Sequence, residues 1–183
     1  MSDFPVDASS VTATADERQQ RFFARFLGEV PHLGILGIRY DCHGGNWLQM
    51  TMPWSDDLLA DPDHGILASG PIYTLMDTAS GFAAILGRGA FEPHATLDLR
   101  LDYLRAPEHG ATIIGRAECY RMTRQIAFVR GVAHDGDADK PIAHVAGTFM
   151  FTGQAAGGMS TGQAAGGMFT GQAAGGMFTG TKP

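Results

Sequence analysis

The chain has 183 residues, of which 44% are hydrophobic and 17% charged, and its formal net charge is −6. This length suits one domain, and the composition is that of a globular protein. The negative charge gives no general attraction to a nucleic-acid backbone or an anionic membrane, so neither is expected as a partner. An anionic ligand would therefore have to meet a local group of basic residues.

The cysteines and the N-terminal segment predict a soluble, cytoplasmic protein. Cys42 and Cys119 are far apart and lack a CxxC or metal-ligand spacing, so buried reduced thiols are expected rather than a disulfide. The N-terminal segment has no basic region followed by an apolar one, and no apolar run reaches the roughly 18 residues of a membrane span. The sequence also lacks a metal-ligand cluster and a GxxxxGK phosphate loop, so neither a metal nor a cofactor is expected.

The first predicted elements are an arm, a helix and a hairpin. Residues 1–15 are small, polar and aperiodic, which indicates a flexible arm. A helix is predicted from Asp16 to Val30 and is stopped by Pro31. Two strands, "LGIRYDCH" and "NWLQMTMP", follow and are joined by the turn formers Gly44-Gly45-Asn46. The apolar face of the helix consists of Phe22, Phe23, Phe26, Leu27 and Val30.

Residues 64–87, "HGILASGPIYTLMDTASGFAAILG", contain a single charged side chain, Asp77. Pro71 suits the first position of a helix, and Ser69-Gly70 supplies residues that can form its cap. Apolar residues then recur at steps of three and four, which predicts a buried helix. A lone carboxylate on such a helix is costly without a purpose, which favours a functional role for Asp77. The apolar stripe consists of Ile72, Leu75, Met76, Ala79, Phe82, Ala83 and Leu86.

The pattern after this helix changes to a period of two. In "ATLDLRLDYL", Leu97 and Leu99 are predicted to face one side of a strand and Thr96 the other. Three further strands are predicted in "ATIIGRAECYR", "IAFVRGVAH" and "IAHVAGTFMF". The order of a helix, two strands, an apolar helix and four strands predicts an α+β domain over residues 16–151. Its antiparallel sheet curls around the central helix, as in a hotdog fold.

The C-terminal segment, residues 152–183, is a Gly-rich tail built from a nine-residue repeat, as in "FTGQAAGGM". Two glycines per repeat oppose a stable helix, and a period of nine matches no common solenoid. The favoured interpretation is a flexible low-complexity extension. The alternative is a docking element, because Phe and Met recur at regular steps.

The stretch "ADPDHGILASGPIYTLMDTASGFAA" followed by "ATLDLRLDYLRAP" resembles the acyl-CoA thioesterases of the hotdog superfamily, in the phenylacetic-acid-pathway (PaaI-like) branch. The resemblance covers roughly residues 34–151. It implies hydrolysis of an acyl-CoA thioester to a free acid and coenzyme A. Coenzyme A would then be part of the substrate and not a cofactor.

The resemblance also implies roles for individual residues. Asp77 falls on the carboxylate position that acts as nucleophile or as general base for water. The backbone N–H groups of Ser69 and Gly70 fall at the helix start that holds the oxyanion, where the helix dipole favours negative charge. Thr96 lies approximately where some relatives carry a hydroxyl that positions water, although β-propensity explains a threonine on a strand equally well.

The sequence departs from the family pattern at the start of the central helix. Many relatives have His-Gly-Gly where this chain has Ala68-Ser69-Gly70. A backbone oxyanion donor survives that replacement. Because the usual His-Gly pair is nevertheless replaced by Ala68-Ser69, the alternative function is a non-catalytic protein that binds or senses acyl-CoA. A hotdog hydratase ranks last, because the His expected about five residues after Asp77 is missing. His64 is a loop residue that could reach the mouth of the site.

Coenzyme A carries several phosphate charges, so an acidic protein that binds it needs local cations. Arg105, Arg121 and Arg124 are the predicted phosphate ligands, because guanidinium groups bind phosphate oxygens in pairs. Arg88 is a weaker candidate. The open edges of a curled sheet and the resemblance together predict a homodimer or homotetramer with active sites at the subunit interface.

Overall fold

A twenty-residue helix lies against a six-stranded antiparallel sheet in the computed structural model, which describes residues 15–153. The predicted arm lies outside the described residues apart from Ala15, as does the tail beyond Gly153. The helices are α1 (Ala15–Gly28), α2 (Pro31–Ile35) and α3 (Ser69–Arg88). The first strands are β1 (Arg39–His43), β2 (Trp47–Met52), β3 (Leu59–Asp61) and β4 (Ile66–Leu67). The later strands are β5 (His94–Tyr103), β6 (Ile113–Met122), β7 (Ile126–His134) and β8 (Ala143–Phe151).

The strand order in the large sheet is β1-β2-β6-β7-β8-β5, which makes β1 and β5 the two edges. Every neighbouring pair is antiparallel. The helix α3 packs mainly against the central strands β2, β6 and β7, and it also contacts β5. This is the predicted hotdog architecture, and it places β5 beside α3 at an open edge of the sheet.

The predicted apolar stripe of the central helix is confirmed, since all seven of its residues are buried. On the sheet, β6 and β8 alternate buried and more exposed residues, as strands with one face on a core do. Glycines allow the close approach of helix and sheet. A Cβ on Gly115 would lie 2.8 Å from the sulfur of Met76, and one on Gly131 would lie 3.0 Å from Cε of Met76.

Several predicted helix ends differ from the structure. The predicted cap residues Ser69 and Gly70 are the first two helical residues of α3, and Ala68 occupies the cap position without a side-chain hydrogen bond. The helix α1 ends at Gly28, and Pro31 begins α2 instead of stopping α1. A proline suits that first position because its missing N–H has no helical partner there.

The alternation predicted for β5 is wrong at its beginning. Thr96 pairs with Phe149 and Asp98 pairs with Thr148, so Leu97 is an extra residue that forms a β-bulge. The bulge puts Thr96 on the same face as the buried Leu99, while Leu97 is 51% exposed. The period-two pattern could not show this, because one inserted residue reverses the faces on one side of the bulge.

Two small features were not predicted from the sequence. The strands β3 and β4 form a two-stranded sheet directly before α3, and the Ala68 N–H donates to the carbonyl oxygen of Leu58 at 2.9 Å.

Of the predicted reduced cysteines, Cys119 is buried and Cys42 is half-buried, and both are free thiols. Among the described residues, no helix is long and apolar enough to span a membrane.

Candidate active site

The Asp77 side chain lies at the middle of α3, where the helix faces the edge strand β5. It is partly buried, and its Oδ1 accepts a hydrogen bond of 3.0 Å from Oγ1 of Thr96. The β-bulge creates this contact, because it turns Thr96 towards the helix. The two polar residues that the sequence singled out at separate positions are thus in direct contact. A carboxylate held by one hydroxyl donor keeps acceptor positions for water or substrate.

The start of α3 presents unpaired backbone donors. Among the described residues, the N–H groups of Ser69 and Gly70 have no hydrogen-bond acceptor, as is expected for the first turn of a helix. The third residue, Pro71, has no N–H. Ser69 and Gly70 are exposed, and the helix dipole places partial positive charge there. This end of the helix is therefore suited to an oxygen that gains negative charge.

Two tyrosine hydroxyls fix the first turns of α3 to β5. The Tyr103 hydroxyl donates to the carbonyl oxygen of Ser69 at 2.9 Å, and the Tyr73 hydroxyl donates to the carbonyl oxygen of Leu99 at 3.0 Å. Burial raises the pKa of Tyr103 above its ordinary value, so this phenol stays protonated and able to donate. These bonds hold the N–H groups at the helix start in a set position relative to the edge strand.

Asp77 and the helix start do not meet within one chain. Asp77 follows Gly70 by seven residues, which at 1.5 Å per residue corresponds to about 10 Å along the helix. A single thioester carbonyl cannot contact both groups over that distance. The described chain therefore holds the two halves of the predicted site apart.

His94 is a neighbour of Asp77 that the sequence reasoning missed. Its ring lies against Phe149 and Phe151, with centroid distances of 5.8 Å and 5.7 Å. Burial lowers the pKa of His94, while the carboxylate of Asp77 acts in the opposite direction. The available signal was its position two residues before Thr96 on the same strand, which puts both side chains on one face.

The predicted phosphate ligands lie at two ends of the domain. The Arg105 guanidinium forms a two-pronged ion pair with Asp135, with Nη1 to Oδ2 at 2.8 Å, and it also donates to the carbonyl oxygen of Lys140. Arg121 and Arg124 are exposed at the β6–β7 connection, near the C-terminal end of α3, where Arg88 donates to the carbonyl oxygen of Arg124 at 2.9 Å. Their binding to coenzyme A stays a prediction.

The exposed His64 pairs with Asp61 at 2.8 Å in the turn between β3 and β4. Within residues 15–153, no three His, Cys, Asp or Glu side chains are grouped so as to hold a metal ion.

Comparison with known proteins connects this geometry to a family. The profile of the thioesterase superfamily matches residues 64–142, which include Asp77, Thr96 and the start of α3. No curated protein matches the chain significantly.

Solved structures match over most of the domain. A structural-genomics protein from Pseudomonas aeruginosa is 37% identical, with a TM-score of 0.65, over 72% of this chain and 97% of that one. A mutant of the phenylacetic acid degradation protein PaaI from Thermus thermophilus is 26% identical, with a TM-score of 0.59, over 67% of this chain and 99% of that one. The Escherichia coli PaaI protein from the phenylacetic acid degradation operon is 19% identical, with a TM-score of 0.64, over 76% and 97%, and shares the fold.

Proposed function

The chain belongs to the thioesterase superfamily and has a PaaI-like hotdog fold, and on that basis we propose that it hydrolyses acyl-CoA thioesters to a free acid and coenzyme A. One observation carries the proposal. The only charged side chain of the central apolar helix before its last residue is a carboxylate, Asp77, and a hydroxyl from the edge strand positions it. A positioned carboxylate in a partly desolvated place is suited to take a proton from water.

In the proposed reaction Asp77 acts as the general base. Its carboxylate takes one proton from water, and the hydroxide oxygen forms a bond to the thioester carbon. The tetrahedral intermediate then collapses, the carbon–sulfur bond breaks, and the proton on Asp77 passes to the thiolate. The hydroxyl of Thr96 occupies one oxygen of Asp77, which directs the other towards the water. Attack by Asp77 itself on the carbon is the alternative first step.

The oxyanion hole of the proposal is the start of α3. The N–H groups of Ser69 and Gly70, which have no acceptor within residues 15–153, can donate to the carbonyl oxygen as it gains negative charge. Because Asp77 lies about 10 Å further along the same helix, each carbonyl needs the helix start of one subunit and the carboxylate of another. This requirement supports the proposed homodimer.

The edge strand β5 is the proposed dimer contact. It has a partner, β8, on one side only of the described sheet, and two of the apolar side chains on and beside it, Leu97 and Leu104, are 51% and 56% exposed. Antiparallel pairing of two β5 strands about a two-fold axis sets the two copies of α3 side by side in opposite directions. Asp77 of one subunit then lies towards the helix start of the other subunit. Pairing of such dimers would give a tetramer.

The phosphates of coenzyme A are assigned to Arg121 and Arg124 in this proposal. Both guanidinium groups are exposed and can donate hydrogen bonds to phosphate oxygens. Arg105 remains a candidate, but it would have to exchange the carboxylate of Asp135 for a phosphate. The net negative charge of the chain does not oppose this assignment, because charge-assisted hydrogen bonds from local cations are strong at short range.

The test measures thiol release from short, medium, long and aromatic acyl-CoAs by wild type and Asp77→Asn. Removal of a general base should lower kcat by about 10²- to 10⁴-fold while the fold and oligomeric mass stay the same. Asp41→Asn, on the opposite edge strand β1, is the matched control and should retain full activity. Full activity of folded Asp77→Asn would remove Asp77 from the mechanism. Binding without thiol release for every wild-type substrate would favour the acyl-CoA sensor.

A further inference from the structure

His94 directs one of its ring nitrogens, Nε2, at the face of α3 that carries Asp77. Asp77 and Gly81 are four residues apart and so lie one above the other on the helix. A Cβ at Gly81 would stand 2.9 Å from Nε2 of His94, which is too close for a side chain. The glycine therefore leaves the space that the imidazole fills, one turn of helix beyond the carboxylate.

The contacts of His94 define which nitrogen carries the proton. Nδ1 lies 3.4 Å from the carbonyl oxygen of Glu92, which can only accept, so Nδ1 is the protonated nitrogen of the neutral ring. Nε2 then carries a lone pair, and no described residue donates a hydrogen bond to it. A neutral imidazole thus directs an unused acceptor towards the helix.

The charged groups around His94 come from α3 and from the turn that follows it. On α3, the Asp77 carboxylate favours the charged ring. Arg88 pairs with Glu92 at 3.1 Å, and its guanidinium lies 5.0 Å from the ring centre of Phe151, so that positive charge is largely compensated. From β8, Phe149 and Phe151 contribute apolar surface. Burial is the dominant effect and lowers the pKa of His94, so the ring is neutral near pH 7.

We propose that His94 positions the hydrolytic water, with Nε2 accepting a hydrogen bond from one O–H while Asp77 removes the proton of the other. This inference rests on the proposed thioester hydrolysis and adds a third polar group to its site. The bond between water oxygen and the thioester carbon forms as that proton moves to Asp77. The O–H held by His94 stays on the oxygen and becomes the hydroxyl of the product acid.

Two substitutions separate the acceptor role of His94 from its packing. His94→Phe keeps a flat ring between Phe149 and Phe151 but has no acceptor, so kcat should fall about 10- to 100-fold with KM little changed. His94→Gln retains an acceptor oxygen, so its kcat should fall less than that of His94→Phe. His144→Phe changes an exposed histidine on β8 and is the matched control. Unchanged kcat in folded His94→Phe would overturn the inference and leave the hydrolase proposal intact.

The pH profile gives a readout that packing alone does not move. Below the lowered pKa of His94 the ring gains a proton and cannot accept a hydrogen bond, so wild-type kcat should fall as His94 is protonated. The kcat of His94→Gln should not show this protonation step. An identical acid limb in the two proteins would contradict a role for the His94 lone pair.

Two further measurements bear on the geometry itself. Gly81→Ala should displace the ring of His94 and lower kcat in the wild-type background. The same substitution should change kcat little in a His94→Ala background. A double-mutant cycle detects this coupling between the two positions. Nitrogen NMR should find His94 as the Nδ1–H tautomer. The pKa of His94 should fall further in Asp77→Asn, because the carboxylate that favours the charged ring is removed. Additive effects of the two substitutions, or an Nε2–H tautomer, would overturn the inference. Absence of thiol release by wild type would remove the hydrolase proposal, and this inference with it.

Discussion

At the scale of single residues, two polar side chains of α3, Asp77 and Ser80, differ in whether they have a hydrogen-bond partner. Asp77 is partly buried and has the Thr96 hydroxyl as its donor. Ser80, three residues later, is fully buried, and among the described residues its Oγ has no hydrogen-bond partner. A buried hydroxyl without a partner costs free energy, so the helix is less stable at Ser80 than an apolar residue would make it.

Ser80→Ala should raise the free energy of unfolding by about 1 kcal/mol, because it removes the unpaired hydroxyl and alanine has the higher helix propensity. Chemical denaturation measures the change. Ser55→Ala is the matched control, since the Ser55 hydroxyl accepts from the N–H of Asp57 at 3.3 Å and its loss should destabilise the protein. A lower stability of Ser80→Ala would mean that the hydroxyl has a partner in solution.

At the scale of elements, the bulged strand β5 decides which side chains reach the helix. Before the bulge, His94 and Thr96 face α3, and after it Leu99 faces the same side. Leu99 lies opposite Gly147 on β8, and the small residue makes room for the large one. A Cβ at Gly147 would lie 2.7 Å from Cδ1 of Leu99 and 3.0 Å from the carbonyl oxygen of Asp98.

Gly147→Ala should lower the free energy of unfolding by about 1 to 3 kcal/mol, because the backbone carbonyl of Asp98 cannot move aside without disturbing the β5–β8 pairing. Thermal and urea unfolding measure the change. Gly45→Ala, in the β1–β2 turn, has no described atom within 4 Å of the added Cβ and should change stability little. Equal stability of the two variants would contradict this packing of β5 on β8.

At the scale of the whole molecule, one ion pair joins the connections at the end of the sheet. Arg105 follows β5 and Asp135 follows β7, and the backbone N–H of Glu108 also donates to Asp135 at 2.8 Å. The Asp135 side chain is 5% exposed. Hydrogen bonding to Arg105 lowers the pKa of Asp135 from 3.8 to about 2. The folded protein therefore favours the ionised carboxylate.

A depressed pKa contributes stability that is present above the unfolded value of 3.8 and is lost as the pH falls through about 2. The stability difference between wild type and Asp135→Asn should therefore shrink as the pH falls from about 5 to about 2. Asp137→Asn, which alters an exposed pair with Lys140 at 3.4 Å, is the matched control and should change stability little. A difference that stays constant across this pH range would rule out the linkage.

The sequence by itself determined the fold class and indicated the candidate site on its central helix. The three- and four-residue spacing of apolar residues marked α3 and its lone carboxylate, and the period-two segments marked the strands of the sheet. These signals are local, because the burial of one helix face or strand face is written in consecutive residues. The family resemblance added Ser69 and Gly70 as proposed oxyanion donors.

Only the tertiary structure decided which polar groups meet. The contact of Thr96 with Asp77 depends on a bulge that the alternating pattern hides, and the place of His94 depends on space left by Gly81. The engagement of Arg105 by Asp135 joins residues 30 positions apart. Each contact depends on the register and distance between separate elements. Those quantities are set by packing in three dimensions and not by the spacing of residues along one element.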